Sequence, residues 1–282
     1  MTGFSAAWLA LREPADHRAR NAAVRDAAIA HLAGKAAPRL VDLGCGSGSN
    51  LRALAPHLPS GQIWRLVDAD PLLLQAARAA LSLWADRTEA AEGGALALWR
   101  EGKRIEVHFE EADLARDLNA VLDRPADLVT AAAFFDLVTP AWLALFCEAL
   151  VKRGLPLFTV LTYDGVERWT PAHPADAAML AAFHAHQTSD KGFGAAAGPG
   201  AFALMEGAFK DRGWRVVAGQ SPWRLSAADE APLIAALAEG AAGAVAETGL
   251  VAAADVASWL EARRVAQTCE IGHMDLFSTP SF

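Results

Sequence analysis

The chain has 282 residues, 53% of them hydrophobic, and a formal net charge of -8, enough apolar material to bury a large core and too much for a disordered segment. Basic residues are scattered along the sequence, which leaves no electrostatic footprint for a phosphate backbone, so no nucleic-acid partner is expected. Cys45, Cys147 and Cys269 are too far apart for a CxxC metal or redox pair, and their odd number argues against a disulfide framework, so a cytoplasmic location is expected.

Residues 1–12 carry no basic stretch followed by an apolar run, so no secretory signal is expected. The Ala-rich region 231–254 is interrupted by Glu239, Gly240, Gly243, Glu247 and Gly249, which suits amphipathic helices and not a membrane span. In chain order, the helical spacing of Ala23, Ala27, Ile29 and Leu32 predicts a helix over residues 4–34. Residues 39–43 form a short apolar strand ending in glycines, and residues 50–57 the helix that leaves this turn. The unit repeats with a strand at 62–67, a helix at 71–84 opened by Pro71, and a strand at 105–109. A strand at 126–132, a helix at 140–152 and a strand at 155–162 follow, the strands continuously apolar as in a sheet covered on both faces. Residues 164–200 are irregular, rich in Pro and Gly around a helix at 174–187, and are expected to be an insertion over the site. Then come a helix at 199–212, a strand at 215–219, two helices within 227–266 and a strand at 270–277.

The most informative stretch is Asp42-Leu43-Gly44-Cys45-Gly46-Ser47-Gly48, where three alternate glycines follow a strand and precede a helix. Glycine permits positive φ and close approach of the backbone to a ligand, and the amides of the next helix favour an electronegative group. A dinucleotide fingerprint needs a glycine at position 49, where Ser49 stands, so an NAD-dependent oxidoreductase is disfavoured. The second strand ends in Asp68-Ala69-Asp70-Pro71, with a carboxylate where ribose hydroxyls are accepted in such folds; Asp70 also fits a helix N-cap.

With these motifs the chain resembles the class I S-adenosylmethionine-dependent methyltransferases, motif by motif over residues 38–163. The resemblance implies one α/β domain of the Rossmann-like methyltransferase type. Its doubly wound, mostly parallel sheet would have seven strands, with a helical N-terminal cap (1–35), a cofactor-binding core (36–163), an insertion or lid (164–200) and a C-terminal part (201–282). It implies S-adenosylmethionine as cofactor, with S-adenosylhomocysteine as product. Its binding residues would be Asp42, Gly44, Cys45, Gly46, Gly48 and Asn50 at the turn and Asp68 and Ala69 at the ribose. Ala112, Asp113 and Leu114 would meet the adenine, and Ala131 and Ala132 would underlie the cofactor at the fourth strand. Asp113 equally fits a helix start. Arg20 either pairs with the cofactor carboxylate or with Asp16, four residues earlier.

The fourth motif reads Ala-Ala-Ala-Phe at 131–134, unlike the Asn/Asp-Pro-Pro-aromatic sequence of nucleobase amine methyltransferases, and no Pro-Cys nucleophile is present. Methyl transfer to a small-molecule acceptor is therefore expected; the alternatives are a catalytically silent S-adenosylmethionine-binding partner protein and a protein or RNA methyltransferase. Candidate catalytic groups are Tyr163 and Asp136, at the carboxyl ends of the fifth and fourth strands, and His186 in the insertion. Asp136 also fits a cap, and Tyr163 a packed aromatic. Asp190-Lys191-Gly192-Phe193-Gly194 suggests a hinged lid, and Trp169 and Trp223 are candidate walls of an acceptor pocket. His184 and His186 diverge on a helix, so no metal is expected.

Overall fold

The computed structural model describes residues 4–189 and 194–281; Asp190, Lys191, Gly192 and Phe193 of the expected lid lie outside the described residues. The N-terminal helix is two helices, α1 (Ala6–Ala19) and α2 (Ala22–Leu32). Arg20 leaves the helical region at φ -51° and ψ 134°, and Asn21 caps α2 by accepting from the Val24 amide at 3.2 Å. The apolar period runs across the break, so it was invisible to spacing alone.

The core follows as β1 (Arg39–Leu43), α3 (Ser49–Leu54), β2 (Gly61–Asp68), α4 (Pro71–Trp84), β3 (Arg87–Ala90), β4 (Leu96–Arg100), β5 (Lys103–Glu111), α5 (Leu114–Leu122), β6 (Leu128–Ala132), α6 (Pro140–Arg153) and β7 (Leu157–Thr170). It continues with α7 (Asp176–Gln187), α8 (Ala201–Lys210), β8 (Arg215–Gln220), β9 (Trp223–Ser226), α9 (Ala227–Thr248), α10 (Ala253–Arg264) and β10 (Thr268–Thr279). The sheet has ten strands and not seven, in the order β3-β4-β5-β2-β1-β6-β7-β10-β8, with β9 paired to β10. Its centre, β5-β2-β1-β6-β7, is parallel, while the β3–β4 hairpin and β10 run antiparallel to their neighbours. The three additional strands are β3, β4 and β9. β3 reads Arg-Thr-Glu-Ala and is mostly exposed, so it carries no apolar signal.

Alternation along the strands divides the core in two. Leu40 of β1 and Leu128 of β6 pack with α2, α3 and α4, whereas Val41, Leu43, Val129 and Ala131 pack with α5, α6 and α8. Asp42 and Thr130 therefore point to the side of α3. From β1 the chain moves outward to β2 and β5, then returns to β6 on the other flank. This reversal opens a crevice at the carboxyl ends of β1 and β6, where ligands bind in open α/β sheets.

β7 continues as far as Thr170, so residues 164–170 of the expected insertion belong to a strand, bulged at 164–166 and paired over Glu167, Arg168, Trp169 and Thr170 with the start of β10. Buried Asp275 of β10 ties the rim together: Oδ1 accepts from the Leu161 amide at 2.8 Å and from the Ser221 hydroxyl, and Oδ2 accepts from the Asn21 amide at 2.8 Å. No helix among the described residues is long and apolar enough to cross a membrane.

Candidate active site

The glycine turn owes its shape to three left-handed residues, Gly44, Gly46 and Gly48, at φ +60°, +52° and +75°. A side chain would be strained at each position. A Cβ on Gly44 would lie 2.7 Å from the Phe134 ring, and one on Gly46 2.9 Å from Leu9 of α1. The Gly46 amide donates to Asp68 Oδ2 at 2.8 Å, and the Asp70 amide to Asp68 Oδ1 at 3.0 Å. The turn and the acid at the end of β2 thus meet directly. Burial pushes the Asp68 carboxyl up, against the two backbone donors that hold it down. Cys45 is buried, its amide bonded to the Val67 carbonyl at 3.0 Å, and Ala69 lies exposed after β2.

α1 lies across this turn and is clamped to it. Glu13 pairs with Arg52 of α3, whose Nη1 donates to the Ser47 carbonyl at 2.8 Å, and His17 Nε2 lies 3.0 Å from the Ser49 hydroxyl. At the end of α1, Arg20 Nη1 donates to Asn50 Oδ1 at 2.7 Å, and Asn50 Nδ2 donates to Asp42 Oδ1 at 2.7 Å and to the Thr130 hydroxyl. Asp16 takes Arg12, not Arg20, as its bidentate partner, at 2.9 and 3.1 Å. Arg20 Nε and Asp42 Oδ2 are buried with no hydrogen-bond partner among the described residues. Complete burial pushes the Asp42 carboxyl up to about 7 in spite of the Asn50 bond and the Arg20 charge.

Past the carboxyl end of β5, Asp113 is the N-cap of α5: Oδ1 accepts from the Ala115 amide at 3.0 Å and Oδ2 pairs with Arg116 at 3.0 Å. Ala112 donates its amide to the Asp68 carbonyl at 3.1 Å, and Leu114 is buried against α6. Asp70 caps α4 through the Leu72 amide at 2.8 Å. Ala131 is buried in β6 and Ala132 half-buried at its end. Glycine amides, the Asp68 carboxylate and the unpartnered Arg20 Nε form a donor and acceptor set that fits S-adenosylmethionine, which carries a ribose diol and a carboxylate.

A second polar cluster stands beyond β6 and β7. Ala133 and Leu161 adopt left-handed φ of +49° and +60° at this rim, an unfavourable conformation for residues with a side chain. Asp136 lies in a short turn, Phe135–Leu137, where it does not serve as the cap, and its Oδ1 is buried with no partner among the described residues. Burial pushes its carboxyl up to about 6 against the Arg12 charge. Arg12 also sits 5.0 Å from the Trp223 ring, whose Nε1 donates to Asp16 at 3.1 Å. His273, 5.1 Å from Trp223 and 6.3 Å from Tyr163 between ring centroids, is pushed down to about 3 by burial and by Arg12.

The Tyr163 hydroxyl donates to Glu167 Oε1 at 3.1 Å and lies 3.0 Å from His184 Nε2. Burial and the surrounding carboxylates push the phenol far above its ordinary range, so it stays protonated and acts as a hydrogen-bond donor. α7 turns His186 to the opposite flank, where Nε2 is 2.8 Å from Glu247 of α9. His184, like His186, is a candidate base from the sequence, whereas Glu167, Arg12 and His273 of this cluster did not emerge from it. The available signal was the two-residue spacing of Tyr163, Gly165, Glu167 and Trp169, which continues the strand. Among the described residues no three His, Cys, Asp or Glu side chains converge as metal ligands.

Similar architecture occurs in a cyclopropane-fatty-acyl-phospholipid synthase-like protein from Lactobacillus casei, 16% identical, with a TM-score of 0.54 over 95% of this chain and 91% of that one. The fold is the Rossmann-like methyltransferase fold. An S-adenosylmethionine-dependent methyltransferase from Thiobacillus denitrificans, solved with S-adenosyl-L-homocysteine, is 16% identical with a TM-score of 0.46 over 99% of this chain and 100% of that one. No protein-family model matches the sequence, and no curated protein is similar to it in sequence. In this fold the centre β5-β2-β1-β6-β7 and the antiparallel β10 between β7 and β8 set the two halves of the site.

Proposed function

We propose that the protein binds S-adenosylmethionine at the glycine turn and transfers its methyl group to a small molecule held beside Tyr163 and Asp136. The observation that carries this is the contact between the left-handed turn and Asp68, whose carboxylate accepts from the Gly46 amide and so lies within one hydrogen bond of the turn's backbone donors. Asp68 would receive the ribose hydroxyls, Gly44, Gly46 and Gly48 would allow the backbone to approach, and Arg20 would receive the carboxylate. Ala131 and Ala132 would leave room above β6, and Asp113, as cap of α5, would fix the backbone around Ala112 and Leu114 against the adenine.

The cofactor supplies an electrophilic methyl on a sulfonium, so alignment and exclusion of water are what the chain must provide. Helix α1 covers the turn and would exclude solvent. Tyr163, protonated and with its O–H donated to Glu167, would orient the acceptor through its ring and its oxygen lone pair. Asp136, raised to about 6 and with Oδ1 unpartnered among the described residues, would take a proton from an acceptor that must lose one. The burial of Tyr163 and of Asp136 Oδ1 favours a small molecule over a macromolecular chain.

Calorimetric titration with S-adenosylmethionine, S-adenosylhomocysteine and NAD tests the cofactor. Binding of both sulfur ligands and not NAD is the expected result. Binding of NAD alone, or of none of the three by folded protein, would overturn it.

A further inference from the structure

Past Tyr163, the extension of β7 and helices α7, α9 and α10 enclose a cavity of about 260 Å³ lined by Glu167, Trp169, Met179, Leu180, Phe183 and Trp259, among others. Its wall is largely aromatic: Trp169 and Trp259 meet edge to face at 5.6 Å between centroids, and Phe183 meets Tyr163 at 6.4 Å. Two charged side chains line it besides Glu167, Asp176 and Arg168, and both are already matched. Asp176 is bound bidentately by fully buried Arg263, at 2.7 and 2.9 Å, and Arg168 pairs with Glu270.

Glu167 differs. Its partners are neutral: the Tyr163 hydroxyl at 3.1 Å, and the Trp169 indole N–H, which lies close enough to favour the carboxylate without a hydrogen bond of ordinary geometry. No cationic side chain pairs with Glu167 among the described residues. A desolvated carboxylate without a counter-charge is costly, and burial pushes the Glu167 carboxyl up accordingly. A ligand cation would remove that cost. The rings suit the same charge, since Arg263 already rests 5.8 and 5.7 Å from the Trp169 and Trp259 centroids.

We propose that this cavity is the recognition pocket for the methyl acceptor, and that Glu167 with the Trp169, Phe183 and Trp259 rings selects an organic cation, an amine carried on a flat apolar group. The proposal rests on the methyl-transfer reading for the word acceptor, because Tyr163 joins the pocket, through Glu167, to the chamber at the ends of β6 and β7. It assigns recognition only, with the reacting atom elsewhere on the molecule. The size of the cavity accommodates one aromatic ring system and its ammonium group, so the acceptor is a larger molecule that ends in an arylalkylamine.

The test is calorimetric titration of the whole chain with tryptamine, its neutral alcohol analogue tryptophol and the anion indole-3-propionate. Tryptamine should bind at least tenfold more tightly than either of the others, and Glu167→Gln should erase its advantage over tryptophol. Leu180→Trp, which fills the cavity from α7 without touching the charge, should abolish binding of both. No tryptamine binding, equal affinities for the three compounds, or an unchanged preference in Glu167→Gln would each overturn the proposal. The same samples are titrated with S-adenosylhomocysteine: failure there, with the amine preference intact, would refute the methyl-transfer reading and leave a cation pocket, whereas the reverse outcome refutes the pocket alone.

Discussion

Replacing Asp68 isolates the contribution of the acid that joins β2 to the glycine turn. Its two oxygens now hold the Gly46 and Asp70 amides at 2.8 and 3.0 Å, and in the bound state they would accept two ribose hydroxyls as well. A hydrogen bond to a charged group contributes about 1.5–3 kcal/mol. Two at the lower figure amount to about 3 kcal/mol, a loss of about 100-fold in affinity for Asp68→Ala. Asp68→Asn keeps one acceptor for the Gly46 amide and loses the charge, so its loss should be smaller, about tenfold. The assay is calorimetric titration with S-adenosylhomocysteine, with circular dichroism of each variant to show that it is folded. A folded Asp68→Ala protein with unchanged Kd would refute the assignment of the ribose to the end of β2.

Two further outcomes concern stability. Asp42 is raised in the folded chain to about 7, so between the ordinary carboxylate range and pH 7 the unfolded chain is ionised while the folded one retains its proton. Folded protein therefore loses stability as pH rises through that window, and Asp42→Asn should remove that loss, the two proteins diverging by roughly 1.4 kcal/mol per pH unit in urea unfolding; parallel curves from pH 4 to 7 would contradict the buried, protonated Asp42. Asp176→Ala strands the fully buried Arg263 guanidinium and the Trp259 indole N–H and should cost about 3–5 kcal/mol, read as a lowered urea midpoint; a midpoint within experimental error of the parent would show that Arg263 reaches water.

What the sequence disclosed was local. The strand, glycine turn and helix of residues 39–54 and the acid at Asp68 announce themselves because glycine spacing, apolar runs and strand ends are read within ten residues. The helix expected over residues 71–84 is found as α4 with those limits, Asp70 supplying its cap and Pro71 its first turn. The misses have physical causes. The β3–β4 hairpin covers an edge where one face is solvent, so its outer strand is polar, and Asp164-Gly165 reads as a turn because β7 bulges there, with Gly165 at φ +89° and the pairing to β10 interrupted between Tyr163 and Glu167 before the strand resumes. Of the polar cluster beyond β6 and β7 the sequence pointed to Tyr163, Asp136 and His184 only, since Arg12, Glu167 and His273 come from three separate elements and meet the others only after the sheet has closed.

Asp275 links that closure to the order in which the chain can assemble. β10 lies between β7 and β8 although it follows both in sequence, so β8 has no neighbour to pair with until β10 arrives. The Asn21 amide that begins α2 waits for the same strand, 254 residues onward, before it finds its acceptor. The central parallel strands and the contacts of α1 with α3 can form early, but the Asn21 amide at the junction of α1 and α2 has no acceptor until Asp275 has joined the sheet. Such long-range closure slows folding and leaves the edge of β7 without a neighbour until the last strand is in place.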